Sequence, residues 1–361
     1  MTQGWIVSLI FSLILTSSCS TPKIAPISES TSPEVELPKE IQTQFAVKEV
    51  KDMPPPRAPT PTPTATSAAV PTSKTSKKSS KKKASAAETR TVTQIAEAAP
   101  AFQYPLRRKD PVPFWVGEKQ SIEVTFFGMA AGEFELETMP LKQVNGRKVF
   151  HFEGRAKSSS VFALVYRLND KIESFMDYDG IFSHRFHMLL DQTRQRRDSL
   201  ELFDHEKKQV YYWNRKNHVE KGYSEIKEYK EISPFTQDSF SAYFYARTLP
   251  LEPGASYIIP VSSEGKSWEM QLTVVRREMI DTPLGKKQAV VVRPQTRFQG
   301  VLKQDKGESY IWLSDDDRRF ILRFEAQVKI GTVVGSLKKV TLGEPPSTAQ
   351  NADQKPENNS R

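Results

Sequence analysis

From about Phe102 to Gly343 apolar side chains return at every second position, the period of strands that bury one face. Ile122, Val124 and Phe126 alternate with Glu123 and Thr125, and past Gly132 the same rhythm resumes in Phe134, Leu136 and Thr138. Asn145-Gly146 is a hairpin signal, followed by Val149-Phe150-His151-Phe152. Further runs span 164–168, 172–176, 182–190, 200–203, 210–213, 257–261, 268–275, 289–292, 308–313, 320–328 and 333–337. Turn pairs such as Asp179-Gly180, Glu264-Gly265 and Leu284-Gly285 separate them. About a dozen strands in hairpin order predict a mainly β fold: one curved antiparallel sheet, rolled into a partial or open barrel.

One segment breaks the alternation. In 238–247, Phe240, Tyr243, Phe244 and Arg247 fall at helical spacing, with Asp238 or Thr236 placed to cap the start and Pro250 to end the helical stretch. A single aromatic-faced helix among strands is expected to pack against the concave face. A roll this wide encloses more volume than one helix fills, so an apolar pocket is expected near Phe240, Tyr243, Phe244, Arg247, Tyr166 and Trp312.

The chain before residue 100 has another texture. Residues 20–100 are rich in Pro, Thr, Ser, Ala and Lys and hold 12 Lys+Arg against 8 Asp+Glu, so +4 of the net charge of +9 lies there. Pro54-Pro55-Pro56, then Pro59, Pro61 and Pro63, favour an extended backbone with no core. Lys74, Lys77, Lys78, Lys81, Lys82 and Lys83 come next. Such a run is most simply a solvated spacer; its other reading is a contact for an anionic envelope polymer. Nucleic acid is not expected, since no aromatic residues interleave with the lysines as stacking platforms.

At the N-terminus an apolar run, Trp5 to Leu15, is too short to span a bilayer as a helix and ends in Thr16-Ser17-Ser18-Cys19. This resembles a bacterial lipoprotein signal cleaved before Cys19, whose thiol would carry lipid. It departs from the pattern in having no Lys or Arg in Met1–Gly4 and Thr16 three places before the cysteine. Cys19 is the only cysteine, so no intrachain disulfide can form. The expected order is signal peptide 1–18, lipid-anchored disordered tether 19–100, β-rich domain 101–343 and disordered tail 344–361. Ser20 after the cysteine points to the outer membrane of a Gram-negative envelope, by analogy with sorting signals.

Catalytic signatures are weak. His184 and His187, three apart on a strand, face opposite sides and cannot share a metal; His151, His205 and His218 are scattered. Asp315-Asp316-Asp317 lacks the spacing of a calcium loop and reads as a turn. Ser158-Ser159-Ser160 has no nucleophile elbow. Asp170 faces away from Glu173 and Asp177, which leaves only a weak acid/base pair. No enzyme activity, metal or cofactor is expected.

Five segments carry a family resemblance: Arg155–Phe162 continuing through Tyr166–Phe175, Asp238–Leu251, Thr282–Gly285, Ile311–Asp317 and Ile330–Leu337. They are similar to the exported bacterial proteins of the domain of unknown function 3108 and cover most of 115–340. The resemblance implies an envelope protein with an antiparallel β-fold and no assigned catalytic residues. In outline the roll is also similar to lipoprotein carriers that shelter acyl chains. The function expected is a lipid-anchored binding or assembly module for lipid or another envelope component. The alternative is a structural link from membrane to cell wall through the Lys-rich segment.

Overall fold

The computed structural model describes residues 37–50, 104–298, 301–302, 308–328 and 331–345. The signal, Cys19 and the lysine run 74–83 lie outside them. The chain begins with α1 (Lys39–Gln44) and β1 (Lys48–Glu49). Eight strands then come in hairpin order: β2 (Val116–Phe126), β3 (Met129–Val144), β4 (Arg147–Ser158), β5 (Asn169–Asp177), β6 (Ser183–Gln192), β7 (Gln195–Asp204), β8 (Gln209–His218) and β9 (Gly222–Glu231). After α2 (Ser241–Arg247) come β10 (Ser256–Ser263), β11 (Lys266–Thr282) and β12 (Gly285–Phe298). The last are β13 (Val301–Leu302), β14 (Ser309–Ser314), β15 (Ile321–Gln327) and β16 (Thr332–Glu344).

The strands form one antiparallel sheet in the order β10-β11-β12-β14-β15-β16-β2-β3-β4-β5-β6-β7-β8-β9. Its end strands β9 and β10 are not paired with each other, so the sheet stays open. It is nonetheless rolled. Trp268 and Met270 of β11 share a core with Ile122 and Val124 of β2 and with Met188 and Leu190 of β6. Ser262 Oγ of β10 reaches Glu201 Oε2 of β7, although most of the sheet lies between them in the strand order. Bulges between Val124 and Thr125, Val274 and Arg276, and Leu337 and Lys339 supply local curvature.

Hairpin order sends alternate turns to opposite ends. One end is closed: residues 104–115 and α2 lie against the turns at 178–182 and 315–320. Arg107 N and Arg108 N bond to Asp179 O, and Arg247 bonds to Arg318 O. The other end carries the turns at 127–128 and 193–194 and the connection 159–168.

Three expectations change. The run at 164–168 is not a strand; Phe162–Leu164 is a 3-10 turn, and of the run only Leu168 pairs, in an isolated bridge with Gln192. β9 is not legible as a strand in the sequence, because Tyr223, Ile226 and Tyr229 recur every third residue rather than every second. The third concerns the tether. Residues 37–50 pack on the outer face of the sheet, where Leu37 and Phe45 join Val144, Val149, Phe175, Leu200, Leu202 and Trp213 in a second apolar cluster. Asn145 N donates to Gln44 O, Arg185 Nη1 to Phe45 O, and β1 pairs with β3 at Gln143 and Lys142. The reason is stereochemical: Leu37, Ile41 and Phe45 make one helical stripe, and the bent end of β3 leaves backbone free to receive β1.

Candidate functional site

The hollow of the roll is the candidate site. Beneath α2 a cavity is walled by Phe134, Leu136, Ile172, Phe240, Tyr243, Ile311 and Phe324. Its volume is about 70 Å³, and it opens toward solvent. Two neighbouring cavities adjoin it. One shares Phe134 and Ala156 and reaches the open end at Phe162, Tyr166 and Leu168. The other shares Ser239, Tyr243 and Ile311 and runs along Trp268, Met270 and Leu272. Together they line an almost wholly apolar lumen. Two glycines shape it: a Cβ at Gly335 would lie 2.1 Å from Phe324 Cε1, and one at Gly154 2.6 Å from Ile172 Cγ1. Without Cβ atoms there, the ring of Phe324 lies flat on β16 and Phe240 approaches β4.

α2 is held by a buried carboxylate. Asp238 Oδ1 accepts from Phe240 N and Ser241 N, while its Oδ2 accepts from the hydroxyls of Ser174 and Ser183. Thr236 takes no part in the cap; its hydroxyl donates to Ser233 O. Burial pushes the Asp238 carboxyl up from its ordinary value despite these four donors.

The expected ligand residues divide. Phe240 and Tyr243 line the main cavity and Tyr166 the one toward the open end. Phe244 is not at the cavity wall; it is buried in an aromatic cluster, stacked on Phe152 and edge-on to Phe114. Arg247 lines none of these three cavities and closes the covered end through an ion pair with Glu118 at 2.7 Å. Trp312 sits on the outer face, because Ile311 and Leu313 on either side of it point inward and a strand alternates. There its indole donates to Glu278 Oε1 at 2.6 Å.

The residue that sequence reasoning undervalued is Asp170. It projects into the main cavity, accepts from Asp191 N at 3.0 Å and Gln192 Nε2 at 2.6 Å, and is the one charged side chain in that wall. Tyr166 Oη and Gln195 Nε2 both donate to Gln192 Oε1, which makes a short polar band across an apolar wall. Glu173 faces outward and bonds His151 and Lys171, as the alternation requires. Burial pushes the Asp170 carboxyl up to about 7. Unfolded, it loses its proton near 3.8. Between these values the folded chain holds a proton that the unfolded chain lacks, so this group's contribution falls as pH rises from about 4 to about 7 and stays low above. Asp170→Asn removes that slope. Its stability relative to the parent, from urea unfolding, should rise across pH 4 to 7, reaching about 1–2 kcal/mol at pH 8. A pH-independent difference would show that Asp170 is ionised throughout.

Elsewhere polar clusters have structural work. His184 Nε2 pairs with Asp177 at 2.9 Å and His187 Nε2 with Asp198 at 2.8 Å, so each histidine has its own carboxylate. Although burial opposes it, Arg147 and His184 hold the Asp177 carboxyl well below the usual carboxylate range. Asp316 Oδ1 accepts from Arg318 N and Arg319 N within the turn, and Ser158 Oγ accepts from Leu168 N. Among the described residues no group of three or more His, Cys, Asp or Glu is placed to hold a metal ion.

A rolled, open antiparallel sheet around an apolar lumen is a β-barrel-like architecture. The chain belongs to the family described as protein of unknown function DUF3108, which matches residues 121–338. Solved structures it is similar to include a β-barrel-like protein of domain of unknown function DUF1849 from Brucella abortus, 9% identical with a TM-score of 0.39, covering 64% of this chain and 99% of that one. A candidate lipoprotein from Parabacteroides distasonis is 10% identical with a TM-score of 0.31, covering 65% of this chain and 100% of its own. A candidate exported protein with a YmcC-like fold from Bacteroides fragilis is 11% identical with a TM-score of 0.30, covering 67% and 99%. No curated protein matches the chain.

Proposed function

We propose that this is a binding module of the bacterial envelope, held to a membrane by lipid on Cys19, that receives an acyl chain or a similar apolar ligand in its lumen. The outer membrane of a Gram-negative cell is the site proposed for it. The observation that carries the reading is a row of three adjacent apolar cavities with shared lining residues, beneath α2 at one end and reaching the open end at Phe162 and Tyr166. A lumen of this lining favours hydrocarbon, and the Asp170–Gln192–Tyr166 band offers one polar contact near its mouth.

The seat of α1 changes the length of the leash. Seventeen residues, not about eighty, lie between Cys19 and Leu37, the first of the described residues to pack on the sheet. That span is at most about 60 Å, so the module would work beside its membrane.

Ala156 lines both the main cavity and the one toward the open end, and Ala156→Trp would fill the junction. Protein purified from its own cells should release lipid on organic extraction, identified by mass, and adding that lipid class should raise the thermal midpoint of the full chain. The Ala156→Trp chain should fold yet lose the shift. If neither extraction nor any lipid class tested gives a signal with the parent chain, the reading fails.

A further inference from the structure

The open end carries an apolar surface that the lumen does not explain. Phe127, in the β2–β3 turn, and Met129, at the start of β3, are 60% and 62% exposed; Val161, Leu164 and Val165, in the β4–β5 connection, are 75%, 87% and 74% exposed. These two segments are bonded to each other: Ser159 N donates to Ala131 O at 2.9 Å and Ser159 Oγ to Ala130 O at 2.8 Å. The five side chains therefore belong to one end of the roll. The connection is two-sided. Phe162 and Tyr166 point into the lumen while Val161, Leu164 and Val165 point out. Neither 127–132 nor 158–166 contains a charged residue.

An exposed cluster of large apolar side chains with no charge inside it is costly in water and marks an interaction surface. Two further observations choose the occupant. The patch borders the mouth of an apolar lumen beside Phe162 and Tyr166, so whatever covers it also meets the lumen's entrance. The chain ahead of Leu37 holds an apolar run, Trp5 to Leu15, and Cys19 is only eighteen residues from Leu37. At most about 60 Å of chain joins them, about the reach needed to bring either end of a roll whose longest strand has 17 residues to the surface that holds the N-terminus.

We propose that the rim formed by Phe127, Met129, Val161, Leu164 and Val165 docks into a lipid bilayer, its side chains entering the headgroup–acyl boundary with the mouth of the lumen facing the membrane. Burying five such side chains at the boundary supplies the association, and the absence of charge in both segments lets the tips enter without desolvating an ion. The proposal shares with the acyl-chain reading only the lipid source. A docked rim over an empty lumen would preserve it and remove that reading.

Cys19 is the sole cysteine, which permits site-specific labels in a Cys19→Ser background. The full chain carrying Cys19→Ser and Leu164→Cys is labelled with an environment-sensitive nitrobenzoxadiazole. A companion carries Cys19→Ser and Leu284→Cys, in the β11–β12 turn at the opposite end. The probe is a vesicle of phosphatidylethanolamine and phosphatidylglycerol, 3:1. The label at 164 should brighten about threefold, shift to the blue and be quenched by spin-labelled lipid; the label at 284 should change little. Adding Phe127→Asp and Val165→Asp should abolish the response at 164 with the thermal midpoint unchanged, since both side chains are exposed. Should the N-terminal run alone bind the vesicle, both labels stay dim and the proposal is overturned. Equal brightening at both ends also overturns it, as does lipid-independent brightening that tracks protein concentration, the mark of a rim joining two copies.

Discussion

Replacing Arg247 by alanine is expected to destabilise the protein by about 3–5 kcal/mol, the largest single effect predicted for a polar residue here. Its side chain is fully buried and all of its bonds run to distant segments. Nη1 pairs with Glu118 at 2.7 Å, Nη2 donates to Pro113 O at 2.8 Å and Arg318 O at 2.6 Å, and Nε donates to Arg318 O at 3.0 Å. One guanidinium therefore joins α2 to the start of β2, to the 104–115 segment and to the β14–β15 turn. Truncation leaves Glu118 with Arg318, at 2.6 Å, as its only ion-pair partner among the described residues, takes both guanidinium donors from Arg318 O and leaves Pro113 O with Arg318 Nε alone. Urea unfolding measures the loss. A cost below about 1 kcal/mol would mean that Arg318, stacked 3.7 Å over Trp115, satisfies Glu118 alone and that α2 needs no latch. Because Phe240 and Tyr243 ride on the same helix, the variant should also weaken the lipid-induced thermal shift.

The second large effect concerns the outer face. Phe45→Ala should cost about 3–5 kcal/mol of local stability, released as opening of residues 37–50 rather than of the whole sheet. Phe45 is buried against Phe175 and the β7–β8 surface, and its carbonyl accepts from Arg185. In hydrogen exchange, the amide of Asn145, bonded to Gln44 O, should lose protection while amides of β6 and β7 keep theirs. Uniform loss would show that the strap is part of the global fold. No change would show that Leu37 and Ile41 hold it unaided. Release also lengthens the chain between Cys19 and the first strand, so the same substitution tests whether function depends on a short leash.

Much of the architecture is readable from local pattern. The alternation in Ile122-Glu123-Val124 and the break at 238–247 predict the sheet and the helix α2, and Asp238 is read as the acceptor for the amides at its start. Asp315–Asp317 reads correctly as turn chemistry, since Asp316 accepts from backbone amides two and three residues on, and Ser158–Ser160 sits where β4 ends, bonded to the connection and to the neighbouring β2–β3 segment. The misreadings share another trait. β9 pairs with β8 through a surface of Lys, Glu and every-third apolar residues, a pattern with no strand period. Val161, Leu164 and Val165 mimic a strand's composition, but the loop they occupy presents them to solvent. Leu37, Ile41 and Phe45 stand at helical spacing, obscured by the prolines and lysines around them.

By itself the sequence determined the conformation of most strands, though not of β9, and the alternation of their side chains between two faces, because both depend on a period of two and on turn residues a few positions apart. Only the tertiary structure decided that Arg247 is a latch and Trp312 an outer-face residue, that residues 37–50 belong to the domain, and that the apolar rim and the lumen's mouth coincide. Each of those depends on how far the sheet curls and which distant segments it brings together. Glu118 and Arg247 lie 129 positions apart, and curvature is a sum over many bulges and twists that no short stretch of sequence contains.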